Sequence, residues 1–236
     1  MPEFGREELR RLTVGLKELV NFQRRLGLEL LEGAYPVKES KPLPAEAPAE
    51  PPVLLSLEEI REEMGDCRRC KLWQSRTRLV FGVGNPRARL MFIGEAPGAE
   101  EDKQGEPFVG EAGNLFNNML SKLEISRQEI YITNVVKSRP PHNRTPVAEE
   151  IAACRPFLLK QIQAIRPQII VTLGAVPTHA LLESKAPISR FRGNWQRWQG
   201  IAVMPTFHPS YLLRVPEERK KTWEDMQKVM AVYKGQ

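Results

Sequence analysis

The chain is expected to fold as an α/β domain with three α/β/α layers, a central, mostly parallel four-stranded sheet between helices, preceded by an N-terminal helical extension. Three observations predict this. Four short apolar runs, RLMFIGE (89–95), YITNVVK (131–137), IIVTLG (169–174) and AVMPTFHP (202–209), have the length and composition of buried strands. Between them GNLFNNMLSKL (113–123), VAEEIAACRPFLLKQIQAI (147–165) and AVPTHALLE (175–183) carry apolar residues at helical spacing. Strands that alternate with helices imply right-handed crossovers, and residues able to do chemistry follow the strand ends, where such sheets bind ligands.

Taken in order, Arg6 to about Glu32 repeats Leu9, Leu12, Leu16, Leu19, Val20, Leu26 and Leu30 mostly at intervals of three and four, with Gln23 interrupting the stripe. An amphipathic helix within residues 1–34 is expected, able to dock a partner or pack on its own chain. Residues 35–53 hold six of the 20 prolines, mixed with Ala, Glu and Lys, and predict an extended linker. Residues 54–236 then form the main domain. Trp195 and Trp198, in RGNWQRWQG, flank an expected hairpin and are assigned to packing, as is His179 on its helix.

Charge and cysteine usage narrow the function. Lys and Arg outnumber Asp and Glu by 35 to 29, so the chain carries +6, which favours an anionic partner, nucleic acid first. Three cysteines cannot build a disulfide framework and fit a reducing compartment. With no apolar run of membrane-spanning length and no signal-peptide pattern at the start, a soluble, cytoplasmic protein is expected.

The first strand runs into GEAPGAEED (94–102) and GEPFVGEAG (105–113). This is no phosphate cradle: the GxxxxGK[ST] lysine is absent and the loop is acidic. The second strand carries Asn134 and the fourth ends in FHPSYLLR (207–214), so a carboxylate, an amide and a histidine reach one rim of the sheet. A fixed amide both donates and accepts, as the edge of a nucleobase demands. These strings together resemble the family-4 uracil-DNA glycosylases, the iron–sulfur branch of their superfamily: GEAPGAEED and PFVGEAG are similar to the first motif, TNVVK to the base-reading strand and MPTFHPSYLLR to the second catalytic motif, over roughly Leu57 to Val229.

The resemblance implies a monofunctional DNA-repair glycosylase that flips uracil from single- or double-stranded DNA and hydrolyses its N-glycosidic bond. Phe108 would stack on the base, Asn134 read its pairing edge, and His208 donate to O2. Glu95 would position or polarise the attacking water, Gly94 would lie in the uracil site and Glu101 near C5. Leu212 is the expected wedge into the vacated stack, and Arg139, His142, Arg144, Ser210 and Arg214 are expected to contact DNA. A monomer is expected. The competing reading is a DNA-binding protein of the same fold that has lost turnover or traps its product covalently, His142 being the one candidate for trapping.

The family's [4Fe–4S] cluster is held by a CxxC pair, a third Cys after the base-reading strand and a fourth on the next helix. Cys67 and Cys70 supply the pair and Cys154 the helical ligand, but Ser138 stands at the third position. A serine oxygen is a harder and less acidic donor than a thiol. Three outcomes stay open from sequence: a cluster completed by Ser138, water or an exogenous ligand; a labile [3Fe–4S] form; or no cluster, with the cysteines as small buried apolar residues.

Overall fold

The computed structural model describes residues 55–235 together with Thr13 and Lys17. The predicted N-terminal helix and linker therefore lie outside the described residues, those two positions apart. Helix α1 (Leu57–Met64) is opened by a capping box in which Ser56 Oγ accepts from Glu59 N–H and the Glu59 carboxylate accepts from Ser56 N–H. Its apolar side, Ile60 and Met64, packs with Phe81 and Phe157.

The remaining elements alternate. Strand β1 (Val83–Gly84) and strand β2 (Leu90–Gly94) precede helices α2 (Ala99–Gln104) and α3 (Glu111–Lys122). Strand β3 (Tyr131–Asn134), helix α4 (Ala148–Ile165), strand β4 (Ile169–Leu173) and helix α5 (Ala175–Leu182) follow. A short helix α6 (Ile188–Phe191), strands β5 (Gln196–Trp198) and β6 (Ile201–Thr206), helix α7 (Pro209–Arg214) and the closing helix α8 (Arg219–Lys234) complete the domain.

The sheet has six strands in the order β1-β3-β2-β4-β6-β5, not four. The four expected strands form its parallel centre, and β1 and β5 add antiparallel edges. Each edge strand is too short to leave an apolar pattern. The expected hairpin is present: β5 turns into β6 through Gln199 and Gly200, both at positive φ, the handedness that suits the twist of a two-residue hairpin.

Side-chain alternation explains the layers. On β2, Leu90 and Phe92 face a core with Phe116 and Leu120 of α3 and Met226, Val229 and Met230 of α8. Met91 and Ile93 face the opposite core, with Leu158, Ile162 and Ile165 of α4 and Leu181 of α5. Burying each such side chain contributes about 1.5–3 kcal/mol, so a strand apolar on both faces is locked between helix layers. Among the described residues no helix is long and apolar enough to cross a membrane.

Candidate active site

The carboxyl ends of β2, β3, β4 and β6 open into a cleft of about 840 Å³. Glu95, Glu101, Phe108, Asn134, Arg144, His208, Ser210 and Arg214 all line it. Gly94 lies buried beneath, in register with Asn134. A Cβ there would stand 2.3 Å from Asn134 Oδ1 and 2.7 Å from Phe108 Cζ, so only glycine allows the amide and the ring to meet over the strand end.

Phe108 is held in a conformation it would not choose. Its φ of 56 lies in the left-handed region, disfavoured for an aromatic residue, and its surroundings impose it. The Glu101 carboxylate accepts from Val109 and Gly110 N–H with one oxygen and from Gly98 N–H with the other. Arg127 donates to the carbonyls of Pro107 and Phe108 and to Asn117. The ring packs 4.9 Å from Phe116 and 5.7 Å from the His208 ring, centroid to centroid. Glu101 thus clamps the loop that presents Phe108. Both of its oxygens are engaged by backbone N–H groups, so the residue expected near C5 lines the cleft as a brace.

His208 is the N-cap of α7, with Pro209 next to it at N1. Its Nδ1 accepts from Ser210 N–H at 3.1 Å and contacts Ser210 Oγ at 2.8 Å. A ring nitrogen that accepts from an amide carries no proton, so in the neutral ring the proton sits on Nε2. Burial, aided by the positive charge of Arg214 and opposed by Glu101, lowers the His208 pKa to about 4. The imidazole is therefore neutral at physiological pH and offers an Nε2–H that nothing among the described residues accepts. The strand end before it is anchored from α8, where buried Asp225 accepts from Thr206 Oγ1 and pairs with Arg192.

Asn134 is 2% exposed, and no described group hydrogen-bonds to its side-chain amide. A nearly buried amide without a partner at the floor of a cleft is an open recognition point. Burial raises the Glu95 carboxyl above its ordinary range, partly offset by a hydrogen bond with Thr145. A group so tuned is a better proton acceptor than a solvated carboxylate.

Other expected contacts divide. Arg144 lines the cleft but is committed to a two-pronged pair with Glu150 at 2.9 and 2.7 Å. Arg139 bonds Asn143, and exposed His142 stands at φ 56 in the turn Pro141–Asn143; neither lines the cleft. Leu212 needs correction as the wedge: it is 5% exposed and faces the groove on the other side of α7, with Phe116 and Trp223. Leu213 lines the cleft in its place. Because α7 starts at Pro209, Ser210, Leu213 and Arg214 fall on one face and Pro209 and Leu212 on the other.

At the other end of the β3 loop, Ser138 is 4% exposed and its Oγ accepts from Arg76, which also donates to Cys67 O and pairs with Asp66. Arg69 Nη1 stands 3.5 Å from Cys67 Sγ, and Lys137 contributes a backbone hydrogen bond and positive charge to Cys154. Lys137 itself is buried without a carboxylate partner; burial lowers its pKa to about 7, opposed by Cys154. Among the described residues no set of His, Cys, Asp and Glu side chains converges on a single metal ion. Cys67, Cys154 and Ser138 are nevertheless flanked by Arg69, Arg76 and Lys137, cations that would compensate the charge of an anionic iron–sulfur group if one were bound there.

Comparison with known proteins agrees with this geometry. Residues 81–227 match the model of the uracil DNA glycosylase superfamily. The chain is similar to the type-4 uracil-DNA glycosylase of Sulfurisphaera tokodaii, 48% identical over 74% of this chain and 83% of the relative. It is 47% identical to the type-4 enzyme of Thermotoga maritima over 75% of this chain and 95% of the relative. A type-5 uracil-DNA glycosylase of Pyrobaculum aerophilum is more distant, at 32% over 64% of this chain and 74% of the relative. With a superfamily match over most of the described domain and type-4 relatives covered nearly end to end, the chain belongs to the type-4 branch of the uracil-DNA glycosylase superfamily.

Proposed function

We propose that the protein excises uracil from DNA by hydrolysis of the N-glycosidic bond, with Phe108, Asn134, His208 and Glu95 as the working residues. The observation that carries this reading is the neutral His208 ring, whose free Nε2–H shares a cleft with the unpartnered Asn134 amide. Phe108 offers a ring face to the flipped base, and Asn134 accepts from N3–H while donating to O4. As the C1′–N1 bond breaks, its electron pair leaves on uracil and negative charge gathers on O2. His208 Nε2–H donates there, stabilising the anion without transferring a proton in full. Positive charge on the sugar faces Glu95, which accepts a proton from the water that attacks C1′. The base leaves as the uracil anion, the proton taken by Glu95 passes through solvent to it, and the products are uracil and an abasic site.

Arg214, Ser210 and Arg144 at the cleft mouth support DNA contact, and Leu213 rather than Leu212 is placed to fill the vacated stack. One chain carries every residue this reading uses, which supports action as a monomer. Cys67, Cys70, Cys154 and the Ser138 oxygen would hold a [4Fe–4S] cluster, which would supply a brace between the CxxC segment and the loop after β3 and take no part in bond cleavage. Iron content and visible absorbance of anaerobically purified protein test that assignment; iron-free, colourless, active protein overturns it.

Activity is tested with a uracil-containing oligonucleotide followed by alkali. Strand scission is expected for the unaltered protein and a loss of about 100-fold or more in single-turnover rate for His208→Ala, the usual cost of one preorganised donor. Tight binding without scission would overturn the catalytic reading. Excision unchanged in both His208→Ala and Asn134→Ala would overturn the site.

A further inference from the structure

A buried cation lies directly under the base-reading residue. Lys137 is 1% exposed, and its ammonium donates to Asn134 O at 2.7 Å, Thr133 Oγ1 at 2.6 Å and Gln161 Oε1 at 2.7 Å. All three acceptors are neutral, and no described carboxylate pairs with it. The acceptors are themselves fixed. Gln161 donates to Phe81 O and to Tyr131 Oη, and Thr133 donates to Phe81 O.

Such a network is costly to build for stability alone. An ammonium that is fully buried and hydrogen-bonded only to neutral groups is expensive, and charge at Cys154 would offset that cost without calling for the three bonds that fix Asn134 O, Thr133 and Gln161. What the network holds is specific. Beyond Asn134 the chain leaves the sheet, and the bond from Lys137 Nζ back to Asn134 O closes the turn 134–137. The peptide that carries the Asn134 side chain is thereby gripped on the side away from the cleft. From the cleft side Gly94 leaves no slack, since Asn134 Oδ1 already occupies the space a Cβ would take.

We propose that Lys137 is a positioning residue for base recognition, fixing the Asn134 peptide so that the amide meets the pyrimidine edge at a set angle. The inference rests on the reading that Asn134 contacts uracil. Lys137 touches neither base nor sugar and acts only through Asn134. Recognition of the base should therefore suffer when Lys137 is altered, while grip on the DNA backbone should not.

The test compares Lys137→Met, which keeps the volume and removes the donors, with Gln161→Met, which removes one acceptor and leaves Lys137 in place. Three quantities are measured on folded protein: inhibition by free uracil, single-turnover excision, and affinity for DNA carrying a stable abasic-site analogue. For Lys137→Met, weaker uracil inhibition and slower excision by about 10- to 100-fold are expected, the scale of a modest misplacement of a recognition group, with abasic-DNA affinity unchanged. Gln161→Met should move the same two quantities in the same direction by less. Parallel loss of uracil and abasic-DNA binding would mean a general structural role and overturn the proposal, as would wild-type uracil inhibition in either folded variant. If Lys137→Met does not fold, Gln161→Met alone decides. Asn134→Ala separates the two levels: wild-type uracil inhibition there defeats the reading of Asn134 itself, whereas loss there with none in the Lys137 and Gln161 variants defeats only this inference.

Discussion

Two loops leave neighbouring strand ends and are built in opposite ways. The loop from Glu95 to Gly110 is drawn inward. The Glu101 carboxylate collects three backbone N–H groups and Arg127 two carbonyls, and the product is one aromatic ring held at a left-handed φ. The loop from Ser138 to Val147 touches the cleft through Arg144 and Thr145 but is largely exposed over Pro141–Thr145, where Asn143 and Arg144 are tied to their own loop or to the adjacent helix by Arg139–Asn143 and Arg144–Glu150. A base has one shape and must be met by a surface with one shape, so its loop is over-determined. A phosphate backbone is repetitive and solvated, and a loop that meets it gains more from reach than from rigidity.

Glu101→Ala strips the inner loop of its clamp and leaves three N–H groups without a partner. Each buried donor so orphaned costs about 1–3 kcal/mol. Single-turnover excision should fall by about 100-fold with a lower melting temperature; wild-type excision would show that Phe108 does not depend on Glu101. Phe108→Ala tests the ring alone. Loss of base stacking, about 1–3 kcal/mol, should appear as weaker inhibition by free uracil, together with a lower melting temperature because the ring also packs on Phe116; uracil inhibition unchanged in the folded variant would remove the stacking role.

The acid side of the pH profile sharpens the contrast in another way. On the proposed mechanism, excision requires Glu95 ionised and His208 neutral. Glu95 is raised above its ordinary 4.5 by burial and His208 is lowered to about 4, so Glu95 takes up its proton first as pH falls. The rate should decline with a midpoint above 4.5, and the residual activity of Glu95→Gln should lose that limb. A limb that persists in Glu95→Gln would assign it to another group. The smallest effects belong to the outer loop. Arg139→Met should lower the steepness of log affinity against log salt by about one, and Arg144→Met by less because Arg144 is already paired with Glu150, with saturating single-turnover rates within a few-fold in both, measured by salt titration of binding.

How far the sequence reaches can be judged residue by residue. The four central strands are legible because both faces are buried and their residues are apolar throughout. Strand β1 is only Val83–Gly84 and β5 only Gln196–Trp198, too short for any periodic signal. Helix α8 escapes notice because its inward stripe, Thr222, Asp225, Met226, Val229 and Met230, contains a buried aspartate held by Arg192 and Thr206. Among candidate site residues, Glu95, Phe108, Asn134 and His208 stand in strings of recognisable chemistry, and all four line one cleft. The duty of Glu101 is invisible without the fold, since a carboxylate in an acidic loop gives no hint that it will collect amides from residues eight and nine positions later. Leu212 and Leu213 are adjacent and chemically identical, and only the start of α7 at Pro209 decides which faces the cleft. Lys137 is hidden for a related reason: lysine is the residue least expected in a core.

Gly94 carries a consequence for how substrate choice can change. Most pockets are walled by side chains, whose rotamers can shift to admit a larger or smaller guest. On the proposed reading the floor under the base is main chain, the end of a strand paired with β3 through Gly94 and with β4 as far as Ile93. Main chain in the middle of a sheet has no alternative rotamer. The depth available to a flipped base is therefore set by the pleat of the sheet, and new substrates are more easily reached by altering the rim of the cleft than by deepening it.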